Sequence, residues 1–334
     1  MKHEESAVEG ADALVSYRDN QTLVAFRPLK LLHVSDLHFV THPILKRIHP
    51  SGLRGHNPNA TDALITKAKE IAPDLVFATG DQTTWGDRQS LRAVRAFLLG
   101  LIHELGLPEE RLFYTPGNHD VLLHYYRPFS GSGRNYDRVF GPPEAIRLLT
   151  VNGYKLAIFS FDSTIKREQK GILWPIKGSM GRVSPQAFNK FNLARQTCVD
   201  LCNRVKIAQV HHHPLPIPHK SNSGVEVELT TMSNGGTFIA HMQECDVQLV
   251  LHGHEHVPYS CAYRFSTTSP ELIVVAAGTA CQSGNDRASF NFVQVLPGSR
   301  TIVSEYVYSE VGFRIHKDSV KVWPDSHPEV ERQG

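Results

Sequence analysis

No run of about 18 apolar residues occurs anywhere in the chain, so nothing in it reads as a membrane-spanning helix. Cysteine is scarce: Cys198, Cys202, Cys245, Cys261 and Cys281 form no CxxC pair. An odd number of thiols fits a reducing compartment. Cys198 and Cys202 stand four apart on an expected helix, and small buried thiols are favoured there over a metal pair. Charge of one sign is not in excess either, with 35 Lys and Arg against 33 Asp and Glu and a net +2. That balance makes no electrostatic case for nucleic acid. The opening Met1-Lys2-His3-Glu4-Glu5-Ser6 lacks an apolar segment of the kind a secretion signal carries, and a cytoplasmic location is expected. No internal repeat, low-complexity segment or dividing linker is visible.

What the chain does have is a core. Over 334 residues, 41% are hydrophobic and 20% charged, as in a globular protein of one large domain or two small ones. Histidine is the unusual residue, at 19 copies. Residues 1–27 have little periodicity and read as an arm or edge strand. Short apolar runs at Leu29–Val34, Leu75–Ala78, Leu112–Tyr114, Leu156–Phe161, Lys206–Val210 and Val247–Leu251 read as buried strands. Between them lie helical patterns, one from Thr61 to Ile71 capped by Thr61 or Asn59, and one with a stripe from Leu91 to Leu105. Ser184-Pro185 opens another helix, with Phe188, Phe191 and Val199 on its core side. Leu272–Ala276, Phe290–Val295 and Ile302–Tyr308 are expected to form antiparallel strands, with turns at Gly284-Asn285 and Pro297-Gly298. The principal domain spans 28–310, and the charged tail 311–334 is expected to be poorly ordered. Strand and helix alternate, with polar groups at the strand ends, which is an α/β pattern.

Those polar groups are Asp36-Leu-His38, Gly80-Asp81, Gly117-Asn118-His119-Asp120, the run ending in His212-His213-Pro214, and Gly253-His254-Glu255-His256. Carboxylate, amide and imidazole are the groups that bind Mn, Fe or Zn. Five such blocks in this order, most of them just after an apolar run, point to a metalloenzyme.

The five blocks resemble the calcineurin-like metallophosphoesterase superfamily. The resemblance implies a four-layer αββα sandwich, two mixed β-sheets flanked by helices, with two divalent or trivalent metal ions at the sheet edges. One ion would be held by Asp36, His38, Asp81 and His256, the other by Asp81, Asn118, His212 and His254. Two cations about 4 Å apart activate water and clamp the attacking and leaving oxygens of a phosphoryl group. His119 would face the substrate and protonate the leaving alkoxide, with Asp120 orienting its ring and raising its pKa. The family's ligand stands two residues before proline, which selects His212. Strand alternation then turns His211 and His213 to the opposite face, and these, with His252, are expected to be structural or supporting.

Departures from better-known relatives narrow the substrate. Protein Ser/Thr phosphatases carry an arginine in each of two blocks, where this chain has Trp85 and Pro116, so a dianionic monoester would lose two bidentate clamps. Purple acid phosphatases place a tyrosine ligand where Thr84 stands. Lipid A precursor hydrolases replace the histidine that is intact here as His119. The remaining pattern resembles the cyclic-nucleotide phosphodiesterase branch. The expected activity is hydrolysis of a small phosphodiester, with a monoesterase or nucleotidase, a nuclease, or a non-catalytic scaffold as alternatives. Three long segments, His42 to Asn59, Tyr125 to Pro143 (with Arg127, Arg134, Tyr136 and Arg138) and Pro214 to Gly236, are candidates for shaping the pocket, their aromatics stacking on a base.

Overall fold

The computed structural model describes residues 15–19, 22–41, 55–121, 135–164, 180–198, 200–216, 231–264, 271–281, 287–296 and 300–322. An antiparallel hairpin, β1 (Val15–Asp19) and β2 (Thr22–Phe26), stands as a sheet by itself. The first large sheet contains β3 (Leu29–Val34), β4 (Leu75–Ala78) and β5 (Leu112–Tyr114), which pair in parallel. The second contains β6 (Arg147–Val151), β7 (Tyr154–Ser160), β8 (Val205–Gln209), β9 (Leu249–His252), β10 (Tyr259–Tyr263) and β11 (Leu272–Ala276), in the order β10-β11-β9-β8-β7-β6. Its four middle strands are parallel and its two edges antiparallel. The chain then returns to the first sheet as β12 (Ser289–Leu296), β13 (Arg300–Ser309) and β14 (Gly312–Val322), completing the order β14-β13-β12-β3-β4-β5.

The apolar runs have a simple physical reason: the central strands are covered on both faces. Leu29, Leu31, Leu75, Phe77 and Phe113 point from the first sheet against Leu156, Ile158, Ile207, Leu249, Leu251 and Ile273 of the second. The alternate residues Leu32, Val34, Val76 and Ala78 lie under α1 (Pro58–Ile71) and α2 (Arg88–Glu104). On the far side, Ala157, Phe159, Ala208 and Val250 lie under α4 (Pro185–Thr197) and α5 (Gly235–Glu244). A short α3 (Asn135–Val139) packs near α2. The result is the expected αββα sandwich of two mixed sheets. A polar bond also crosses between them, from Asn291 Nδ2 on β12 to the Ala276 carbonyl on β11 at 2.8 Å.

Several sequence expectations change. The cap of α1 is Asn57, whose side chain accepts from the Asn59 amide, with Pro58 opening the helix. Ser184 caps α4 as expected. Leu272–Ala276 does not join the two strands after it; it pairs in parallel with β9 in the other sheet. Of the tail after Val311, expected to be poorly ordered, Gly312–Val322 forms β14, because its backbone completes a ladder with β13, and residues 323–334 lie outside the described residues. Tyr136 is not presented to a ligand: its ring is fully buried and stacks on Phe140. Cys198 sits just past the end of α4 and is half-buried, and Cys202 is exposed, while Cys245 and Cys281 are buried. Most of the three long segments, the two glycine turns and Val199 lie outside the described residues.

Phe77 sits fully buried between the sheets, its ring stacked on Phe113 with centroids 5.0 Å apart. Phe77→Ala should cost about 3–5 kcal/mol. Denaturant unfolding measures it, and a loss below about 1 kcal/mol would contradict the packing described here.

Candidate metal centre

Each polar block follows the carboxyl end of a parallel strand. Asp36 and His38 follow β3, Asp81 follows β4, Asn118 and His119 follow β5, His211 and His212 follow β8, and His254 and His256 follow β9. The two sheets bring these ends together, and Thr115 Oγ1 donates across them to the Phe161 carbonyl at 2.7 Å. Among the described residues eight that are not glycine have positive φ, and five of these are Asp36, His38, Asp81, His254 and His256. Left-handed backbone at such residues costs roughly 1–3 kcal/mol each and persists where the surroundings over-determine it. Here they do. The amides of Asp36 and His38 donate to the carbonyls of Gly80 and Asp81, both at 3.0 Å. The His254 amide donates to Asp36 Oδ2 at 3.0 Å, and the His119 amide to Asp81 Oδ1 at 2.8 Å. A Cβ at Gly253 would overlap Ser35 and the Asp36 carboxylate, and one at Gly117 would overlap the Asp81 carboxylate, so both positions require the bare backbone.

The side chains form two adjoining clusters. In the first, His38 Nε2 and His256 Nε2 are 3.0 Å apart, and Asp36 Oδ1 is 3.3 Å from His256 Nε2. In the second, His211 Nε2 lies 3.1 Å from Asn118 Oδ1, 3.2 Å from Asp81 Oδ2 and 3.2 Å from His254 Nδ1. Asp36 with His38 and His256, Asp36 with Asp81 and His211, and His211 with His212 and His254 each offer three atoms that one ion can reach. Two imidazole nitrogens facing each other at 3.0 Å need a proton or a cation between them. His254 Nε2 is buried and makes no hydrogen bond among the described residues. The donor set fits two cations.

Protonation is preset for the same purpose. Burial would raise the Asp36 carboxyl, but His256 and His211 hold it down at about 2. Asp81 is also held well below the usual carboxylate range, burial being outweighed by His211 and His119. Burial, with His256 beside it, drives His38 well below the ordinary imidazole value, and burial with His211 takes His254 to about 4. Ionised carboxylates and neutral imidazoles are the forms that ligate. His211 is the exception. Burial opposes its charge, yet the Asp81 carboxylate raises it to about 9, so without metal a proton sits where a cation would.

Residues 29–258 match the calcineurin-like phosphoesterase family. The chain belongs to that family. Membership supports a metal-dependent phosphoester hydrolase whose relatives typically use a dinuclear metal centre. In fold the chain is similar to a purple acid phosphatase from yellow lupin (Lupinus luteus) seeds, at 12% identity and a TM-score of 0.53, covering 88% of this chain and 54% of that one. It thus spans about half the length of that relative. A phosphopantetheinyl hydrolase from Mycobacterium tuberculosis matches at 14% identity and a TM-score of 0.43, covering 75% of this chain and 90% of that one. No curated protein matches in sequence. No helix among the described residues is long and apolar enough to cross a membrane.

Within the chain, the residues named from sequence converge on one site, with two differences in detail. Strand alternation does not carry into the histidine run, because β8 stops at Gln209. His211 and His212 therefore both approach His254, with ring centroids 5.0 and 4.5 Å from it. His211 donates from Nδ1 to the Thr79 carbonyl at 2.8 Å, which aims Nε2 at Asp81 and Asn118. His213 also touches His254, with centroids 5.6 Å apart, but its Nε2 lies 3.7 Å from Glu255 and its ring packs on His252. The second difference concerns Asp120. Its carboxylate accepts from the amides of Gly117, Gln82 and Thr83 and from Thr83 Oγ1, tying two ligand loops together. Burial and the nearby Asp81 lift its pKa to about 7. What pins the His119 ring is the Thr84 carbonyl, 3.0 Å from Nδ1.

Three contributors escaped sequence reasoning. Ser163 Oγ lies 2.7 Å from His212 Nδ1, and its only signal was a hydroxyl just past a strand end. The carbonyls of Thr79 and Thr84 carry no side-chain signature at all. Thr84, at the tyrosine position of purple acid phosphatases, is buried and donates to the His38 carbonyl at 3.2 Å. His56 stacks on Phe39 with centroids 4.0 Å apart, while His42, His49 and His219 lie outside the described residues.

Gly117→Ala should displace Asp81 and reduce bound metal at least tenfold in affinity, whereas Gly100→Ala on α2, with open space around it, should leave uptake unchanged. Metal content after gel filtration and calorimetric titration checks this, and equal uptake by both variants would contradict it.

Proposed function

We propose that the phosphoesterase is a two-metal phosphodiesterase acting on a small phosphoric diester, a cyclic nucleotide being the type its motifs resemble most. Asp36, His38, Asp81 and His256 would hold one ion. Asp81, Asn118, His254 and the His211–His212 pair would hold the other, and His211 is the member of that pair nearest Asp81. Mn, Fe and Zn all suit these donors. Two cations bound there supply Lewis acidity toward the phosphoryl oxygens and a nucleophile from water at neutral pH.

The chain's own groups then do the following. His119 donates Nδ1–H to the Thr84 carbonyl, which leaves Nε2, 4.0 Å from Asp81 Oδ2, toward the substrate. Its side chain is 18% exposed and that of His256 is 16% exposed, whereas Asp36, His38, Asp81 and His211 are closed off, so substrate enters past these two rings. His119 Nε2 is placed to deliver a proton to the leaving alkoxide. Asp120 acts at one remove, holding the loops of Asp81 and Asn118 in register.

The observation that carries the diester reading is the pair Trp85 and Pro116, where arginine clamps for a dianionic monoester would stand. With Mn present, bis-p-nitrophenyl phosphate should be cleaved with a higher kcat/KM than p-nitrophenyl phosphate. A clear preference for the monoester would sink this reading in favour of a monoesterase. Metal binding has its own signature. His211 is protonated below about pH 9 in the metal-free protein, so loading near pH 7 should release about one proton and tighten as pH rises. Calorimetry in buffers of different ionisation heat counts that proton, and His211→Ala should abolish the release along with binding of the second ion. Undiminished release would assign the proton to another group.

A further inference from the structure

A second opening adjoins the metal centre. It is a pocket of about 300 Å3 whose lining includes His256, Pro258, Arg287, Ser289, Glu305 and His316. That volume is at the lower end for small-molecule sites. His256 belongs to both places, so a group bound in the pocket shares a wall with the ion that Asp36, His38 and His256 hold. The remaining walls come from the loop after His256, from Arg287 just before β12, and from β12, β13 and β14, three strands that carry none of the five blocks.

The charges in this pocket do not cancel. Glu305 on β13 stands opposite Lys317 in the ladder with β14 and feels the charge of both His316 and Lys317. Burial nonetheless raises its carboxyl above the usual range, so its charge is disfavoured in the pocket. Arg287 has no ion pair among the described residues and its side chain is exposed. Ser289 is buried with its Oγ packed against Gly278, so it closes the pocket without offering a donor to it. An exposed guanidinium with no ion pair, on the wall of a pocket, is a site for an anion.

We infer that this pocket is a substrate subsite in which Arg287, with His316 beside it, holds a second anionic group, a carboxylate or a phosphate, carried by the diester. The inference rests on the diester reading above and names the class of diester. The substrate bears one anion at the scissile phosphorus and another on the arm that passes His256. Pro258 and Val307 supply the apolar wall along which that arm lies.

The test uses p-nitrophenyl alkyl phosphates that differ only at the end of a short alkyl arm: methyl, carboxylate or phosphonate. With Mn, the wild-type protein should prefer an anionic arm over the methyl arm by about tenfold or more in kcat/KM, expressed chiefly in KM, as a charge-assisted hydrogen bond allows. The carboxylate and phosphonate arms decide between the two anions. In Arg287→Ala the preference should fall to about one, and Arg287→Lys should restore part of it. Absence of a preference in the wild type, or the same preference in Arg287→Ala, overturns the subsite. If no diester turns over, the diester reading itself has failed. Calorimetric binding of methylenebisphosphonate to the Mn-loaded proteins then reads the pocket directly. A tenfold weakening in Arg287→Ala supports it, and equal binding in the two proteins overturns it.

Discussion

The buried Asp81 carboxylate is the group around which the site is built. Its Oδ1 accepts the His119 amide, its Oδ2 faces His211 Nε2, and its own carbonyl accepts the His38 amide. One residue therefore sets the relative position of loops from β3, β4, β5 and β8. An ionised carboxylate fully removed from water is expensive unless charge is brought to it. In the metal-free protein the His211 proton does this. With metal, two cations would.

The sandwich makes such a residue possible. Both sheets are covered on both faces, so their strand ends are held by cores that extend well away from the site. That rigidity supports five non-glycine candidate ligand residues in left-handed backbone. It also leaves no room for a Cβ at Gly117 or Gly253, where backbone lies against ligand carboxylates. Strain and close approach are concentrated where the cation donors must converge.

Much of this was legible in the sequence. Buried parallel strands are continuous apolar runs, and β3, β4, β5 and β11 were bounded by their hydrophobicity alone. The edge strands β6 and β10 and the helix α5 were not, because partial exposure breaks the simple pattern. β14 was hidden for a related reason. As an edge strand it is charged, exposed at Arg314 to Lys317, and its order comes from backbone pairing that no side chain announces. At the site, the ligand types and their order were readable, and the partners that orient them were less so. His119 is aimed by the Thr84 carbonyl and His211 by that of Thr79, and a carbonyl leaves no trace in residue identity.

The sequence by itself determined the chemistry: carboxylate, amide and imidazole donors at the ends of five buried strands, and no arginine at Trp85 or Pro116. Tertiary structure decided the geometry. It turned His211 inward beside His212, because the two-residue alternation of a strand ends with the strand, at Gln209. It gave Asp120 to the backbone amides of Gly117, Gln82 and Thr83, because a buried carboxylate takes the donors nearest it. It placed Arg287 beside His256, residues 31 apart in sequence, because the chain passes from β11 in one sheet to β12 in the other and so returns to the edge of the candidate metal centre.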